Sequence, residues 1–138
     1  MAVTPNLNLY LPDDDDYVSN ERDLNDNFEK IDSALGVSLR TGATFNNPAL
    51  NDYDVSFYEF GKFILCTGFI NPKLSGQNLL LIGNIPVPAN GKQVIFPVCS
   101  NTGNASGWGA INSNSDNIKF ALPAANVPYG FNFIYVRS

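Results

Sequence analysis

The chain has 138 residues and a formal net charge of −5, enough for one ordinary domain or for a small domain with an assembly segment. Hydrophobic residues make up 44% and charged residues only 15%; the first value permits a packed core, and the second lies well below the usual quarter, as in chains that cover part of their surface with another subunit. The acidic balance disfavours nucleic acid and anionic membranes, which need a basic footprint, and no run of about 18 apolar residues is present to span a bilayer.

The opening MAVTPNLNLYLPDDDD lacks the basic start and long apolar stretch of a signal peptide, so synthesis in a cytoplasm without export by the usual route is expected. Residues 1–18 are expected to be extended. Pro5 and Pro12 punctuate them, and Leu7, Leu9 and Leu11 alternate with polar neighbours, a pattern suited to packing along a partner. The run Asp13 to Asp16 repels itself. It lacks the alternating carboxylates, glycine and distal glutamate of a calcium loop, and is expected to be a solvated linker.

Residues 20–35 predict a helix. Asn20 suits the N-cap, Glu21 and Asp23 favour the first turn, and Gly36 marks the stop. Leu24, Phe28, Ile31 and Leu35 recur at spacings of four, three and four, which is a heptad seam that Tyr17 would extend. The other faces are polar. A helix of about four turns is marginal alone in water, so this seam must be covered, either by the rest of the chain or by copies of itself in a parallel bundle. The narrow seam and the polar opposite face favour the bundle.

Residues 37–52, VSLRTGATFNNPALND, are expected to be a linker or short neck, and residues 53–138 a β-rich head. YDVSFYEF alternates. FGK is a turn. FILCTGFI is nearly continuous in apolar residues and predicts a central strand buried on both faces. NLLLIGNIP and KQVIFPVCS predict further strands, WGAIN and NIKFAL a hairpin around residues 113–116, and YGFNFIYVRS a closing strand. Seven or so short strands with regular turn signals imply an antiparallel sandwich or barrel. Cys66 and Cys99 leave a disulfide open, but their apolar neighbours favour two buried thiols.

The chain contains no histidine. That removes the usual general base, the Ser-His-Asp and Cys-His arrangements, and the commonest metal ligand. Neither a zinc spacing nor a phosphate-binding glycine motif is found. The acids of the head are Asp52, Asp54, Glu59 and Asp116. Nothing in the pattern buries a pair of them as glycosidic chemistry needs, so an enzyme, a cofactor and a metal site are not expected.

Binding chemistry is present. Trp108 is the only tryptophan, and its offset of three from Ile111 places the two on opposite faces of a strand. If Ile111 faces inward, Trp108 points out. It could then stack on the apolar face of a sugar ring, with Asn112, Asn114 and Asp116 supplying hydrogen bonds, or it could be buried between subunits; a different register would remove it from the surface. Asn101 and Asn104 lie in the amide-rich loop SNTGNAS, and Tyr129 precedes the last strand where it could line the same surface. Taken singly, such loop residues are also ordinary turn formers.

The opening TPNLNLYLPDDDDYVSNERDLNDNFEKIDSALG, the segment FYEFGKFILCTGFINPKLSGQNLLLIGNIPVPANGKQVIFP and the hairpin GWGAINSNSDNIKFAL together resemble tail-tip and baseplate proteins of siphophages and prophages of Gram-positive bacteria. The resemblance is to the lower-baseplate receptor-binding proteins of lactococcal siphophages in particular. It implies a homotrimer carried on the virion, held together by the helix at Leu24, Phe28, Ile31 and Leu35. It further implies an N-terminal segment that docks on other baseplate or tail proteins, and a β-barrel head that recognises host cell-wall polysaccharide. A purely structural baseplate or tail-fibre component is the alternative. The family's site residues do not carry over one by one, because this chain has no histidine and its residues 37–52 are short for a full neck.

Overall fold

A computed structural model describes residues 2–3, 6–11, 25–102 and 105–138. The chain divides into two compact units, Met1–Val37 and Ser38–Ser138.

In the first unit, β1 (Ala2–Val3) and β2 (Tyr10–Leu11) pair antiparallel, Ala2 opposite Leu11 and Val3 opposite Tyr10. The segment expected to be extended therefore doubles back, through a turn at Asn6 and Leu7. Helix α1 spans Asn25–Leu35 and ends where the Gly36 N–H donates to the Asp32 carbonyl at 2.9 Å. The Lys30 ammonium donates to the Asn8 carbonyl at 2.7 Å, and Asn6 to Asn8 line a cavity with Asp26, Glu29 and Ser33. Those helix residues lie on the face opposite the seam, so residues 6–8 meet the polar side, and Phe28 is 66% exposed. Asn20, Leu24 and the acidic run lie outside the described residues, as do Tyr17 and the first turn of the expected helix.

The second unit is one antiparallel sheet of nine strands. They are β3 (Ser38–Arg40), β4 (Thr44–Phe45), β5 (Leu50–Phe60), β6 (Phe63–Pro72), β7 (Gly76–Gly83), β8 (Val94–Ser100), β9 (Ser106–Ile111), β10 (Ile118–Leu122) and β11 (Tyr129–Val136). Their order is β3-β5-β6-β11-β8-β9-β10-β7-β4. Residues 38–52 are thus not a neck. Ser38 pairs with Glu59, Thr44 with Gly83, and Leu50 opens β5 as a buried residue. Single alternating residues within a segment rich in Asn and Gly were enough once longer strands stood beside them to supply partners.

The two edge strands, β3 and β4, are joined by residues 41–43 alone, a connection that reaches no further than about 14 Å. The sheet must therefore curl until its edges approach. Side chains bridge the seam: Arg40 donates to the Asn84 carbonyl at 3.1 Å, Asn84 donates to the Gly42 carbonyl at 2.8 Å, and Phe45 stacks on Tyr53 at 4.2 Å. On the far side, β8 and β11 pair only at Ser100–Tyr129 and Cys99–Gly130 before they diverge. The curl thereby gives two inward faces packed on each other, with Phe96 stacked on Phe133 at 3.8 Å.

Strict alternation builds this core. Phe57, Cys66 and Phe133 are cross-strand neighbours, and Tyr135, Phe133, Phe131 and Tyr129 all point inward from β11. Burial pushes the Cys66 thiol well above its usual range. The same alternation corrects two expectations. Strand β6 is not buried on both faces: Ile64, Cys66 and Ile70 are inside, but Phe63 is exposed and Leu65, Thr67 and Phe69 are half-buried, because no second layer covers the outer face within this unit. Cys99 is exposed on the outer side of β8, and both thiols are free.

Candidate functional site

Three strands place Trp108. On β9 the inward positions are Gly107, Gly109 and Ile111, facing Val98, Phe96 and Val94 on β8 and, at Gly109 and Ile111, Phe120 and Ile118 on β10. Gly109 is small for a reason: a Cβ there would stand 2.3 Å from the Phe96 ring. Ile111 is fully buried. The register is thus locked by packing, and Trp108 must project outward, where it is 43% exposed.

Its cross-strand neighbours on the outer face are Pro97 and Ala121. Ala121 has too little side chain to fill its position, so a trough of about 400 Å³ lies between Trp108 and the start of β7. The indole forms one wall. Ser75, Gln77 and Ser106 supply two hydroxyls and an amide, and Pro123 lies at the end. A half-exposed indole beside neutral donors and acceptors can stack on an apolar ring face while the amide and hydroxyls satisfy the ring's substituents. Every described residue lining the trough is uncharged.

A second hollow, of about 380 Å³, opens where Gly130 on β11 sits between Phe69 on β6 and Cys99 on β8. Asn101 and Pro128 complete it.

The other expected residues separate. Asn112 lies four positions along from Trp108, about 14 Å away in an extended strand. Its Oδ1 accepts from the Gln93 amide at 2.9 Å, and its carbonyl accepts from the Ser115 N–H at 3.1 Å. Asn114 takes a left-handed φ of 59°, and the Asp116 carbonyl accepts from the Ile85 N–H at 3.0 Å. Residues 112–117 therefore serve the hairpin turn and are not brought to Trp108. Tyr129 is a correction: it begins β11 on the inward phase, is fully buried, and exchanges hydrogen bonds between its hydroxyl and the Ala124 backbone at 3.0 and 3.2 Å. Its outward neighbour Gly130 faces the surface instead. Asn101 lines the second hollow, and Asn104 lies outside the described residues.

Sequence reasoning missed Ser75, Gln77 and Ser106. Gln77 on β7 and Ser106 on β9 come from two strands that β10 separates, with Ser75 just before β7, and only the sheet order brings them together. The acids also separate: Asp54 and Glu59, five positions apart on β5, lie on opposite faces, and Glu59 is paired with Arg137 at 2.9 Å.

Comparison with known protein families, with characterised proteins and with solved structures finds no match to this chain.

Proposed function

We propose that this chain is a bacteriophage tail-tip or baseplate protein that attaches the virion to a host cell-wall saccharide through a β-rich head, carried as a homotrimer on its N-terminal helix. The observation that carries the binding part is the outward Trp108 beside a trough lined only by neutral groups. A single site of this kind is weak, with a free energy of about −4 kcal/mol for a millimolar sugar contact, and repetition on an oligomeric tip raises apparent affinity by about 10² to 10⁴.

Two features support assembly. Phe28, at a seam position of the helix, is exposed, and the described N-terminal residues Asn6 to Asn8 meet the opposite face. On the head, the outer face of β3, β5, β6 and β11 carries two apolar rows, Leu39–Tyr58–Leu65–Ile134 and Phe60–Phe63–Val136. Their exposed members, Leu39, Phe60, Phe63, Ile134 and Val136, form a contiguous apolar patch of the kind that marks a protein contact. We assign this face to a further copy of the chain. The N-terminal segment is the part that would dock on other tail proteins.

The test is decoration of Gram-positive cells by the fluorescently labelled protein. Wild type is expected to bind and Trp108→Ala to lose binding while staying folded; equal decoration by both removes the trough from the function. The same outer apolar face favours a second reading, a structural baseplate component that touches only other proteins. Failure of the wild-type protein to decorate any cell, together with a stable oligomer, would select it.

A further inference from the structure

The hollow at Gly130 has no structural necessity behind it. A Cβ at Gly130 would meet nothing nearer than the Gly68 carbonyl at 3.9 Å, and the backbone there does not take a left-handed φ. Glycine is therefore required neither by packing nor by conformation, in contrast to Gly109, where a side chain would collide with Phe96. What glycine does at 130 is keep a slot open between the Phe69 ring and Cys99, with the Asn101 amide on its lining.

This slot adjoins the Trp108 trough. Cys99, which lines the slot, is the direct cross-strand partner of Ser106, which lines the trough, so their side chains stand about 5 Å apart on the same face. The floors of the two hollows, Gly130 on β11 and Ala121 on β10, are separated by three strand spacings and two residues along the strand, roughly 16 Å. That is longer than any single sugar ring. Each hollow repeats one design: an aromatic wall, a small residue as floor and an amide beside it. Among the described residues, no charged one lines either.

From this we infer that the two hollows are successive subsites for one linear, uncharged oligosaccharide segment of at least three sugars, lying across β11, β8, β9 and β10. The inference rests on the saccharide-binding reading of Trp108 and adds to it the length and the neutrality of the ligand. A polymer whose recognised segment carried phosphate or carboxylate groups would find no cation in either hollow.

Two built-in reporters allow a test on the full chain. Trp108 is the only tryptophan, so emission reports the trough. Cys99 is exposed and Cys66 buried, so the rate of alkylation by iodoacetamide in the folded protein reports the slot. The probe is wall polysaccharide from a Gram-positive cell that the labelled protein decorates, partially hydrolysed and separated by length. Single sugars are expected to change Trp108 emission without slowing Cys99 alkylation. Fragments of three or more sugars are expected to do both, with alkylation slowed at least about tenfold at saturation. Gly130→Val, whose Cβ meets nothing nearer than 3.9 Å and whose methyl groups enter the slot, should lower affinity for the long fragments about tenfold, toward that for single sugars. Binding should be nearly flat between low and high salt. If Trp108 responds to every length while Cys99 stays equally reactive and Gly130→Val binds long fragments as wild type does, the second subsite is wrong and the Trp108 reading stands. Binding that collapses with salt overturns the neutral ligand. If no cell is decorated, or no fraction changes Trp108 emission, the underlying reading fails and the inference with it.

Discussion

Single residues on β9 divide the work between fold and surface. Gly109 and Trp108 are neighbours in sequence but face opposite media. Gly109→Val would put a Cβ 2.3 Å from the Phe96 ring, and overpacking of that kind costs about 1–3 kcal/mol; denaturant unfolding should show the loss. Trp108→Ala removes a side chain already 43% exposed, so its midpoint should move little while saccharide binding is lost. Tyr135 makes the opposite case to Trp108. Its hydroxyl donates to the Pro86 carbonyl at 2.9 Å, and Tyr135→Phe strands a carbonyl on a buried residue, an expected loss of about 1–3 kcal/mol measured by the same unfolding curves. The inward or outward fate of Trp108 was foreseeable from its offset to Ile111, because a strand has a period of two. Tyr129 was misplaced because it does not precede the last strand but begins it, in phase with Phe131, Phe133 and Tyr135, and so points into the core.

At the scale of elements, the sheet's closure and the helix's seam are separate devices. The seam between β3 and β4 is held by the Phe45–Tyr53 stack and the Arg40–Asn84–Gly42 hydrogen bonds. Phe45→Ala is expected to cost about 2 kcal/mol, a partly buried aromatic giving less than a fully buried one. It should also loosen amide exchange in β3 and β4 before the rest of the sheet. The helix presents Phe28 two-thirds exposed, which a lone chain gains nothing from. Phe28→Asp is expected to turn an oligomer into 15.0 kDa monomers by light scattering, with the head still folded and cell decoration reduced. A helix of a few turns is marginal alone in water, so α1 depends on cover for its apolar face. The helix was legible from its heptad spacing. Strands β3 and β4 were not, because segments of two or three residues carry no measurable period; their strand character is imposed by β5 and β7.

For the whole molecule, pH dependence follows from the buried acids of the core. Burial holds both the Cys66 thiol and the Tyr135 phenol protonated in the folded state above their ordinary values of 9.0 and 10.0. A raised value means the unfolded chain releases these protons first as pH rises, so stability is full below about pH 9 and declines above it. Urea unfolding from pH 7 to 11 should show a plateau and then a fall, and Cys66→Ala should remove part of the slope. The sequence alone determined that this is a mostly β chain with one short helix, poor in charge and without histidine, because period, turn residues and residue inventory are local properties. Tertiary structure alone decided that residues 38–52 belong to the sheet, that Cys99 lies outside and Tyr129 inside, and that Gln77 and Ser106 meet Trp108 while Asn112 does not. Those outcomes depend on strand order and register, and register is chosen by which side chains fill the shared core, a condition that no single segment contains.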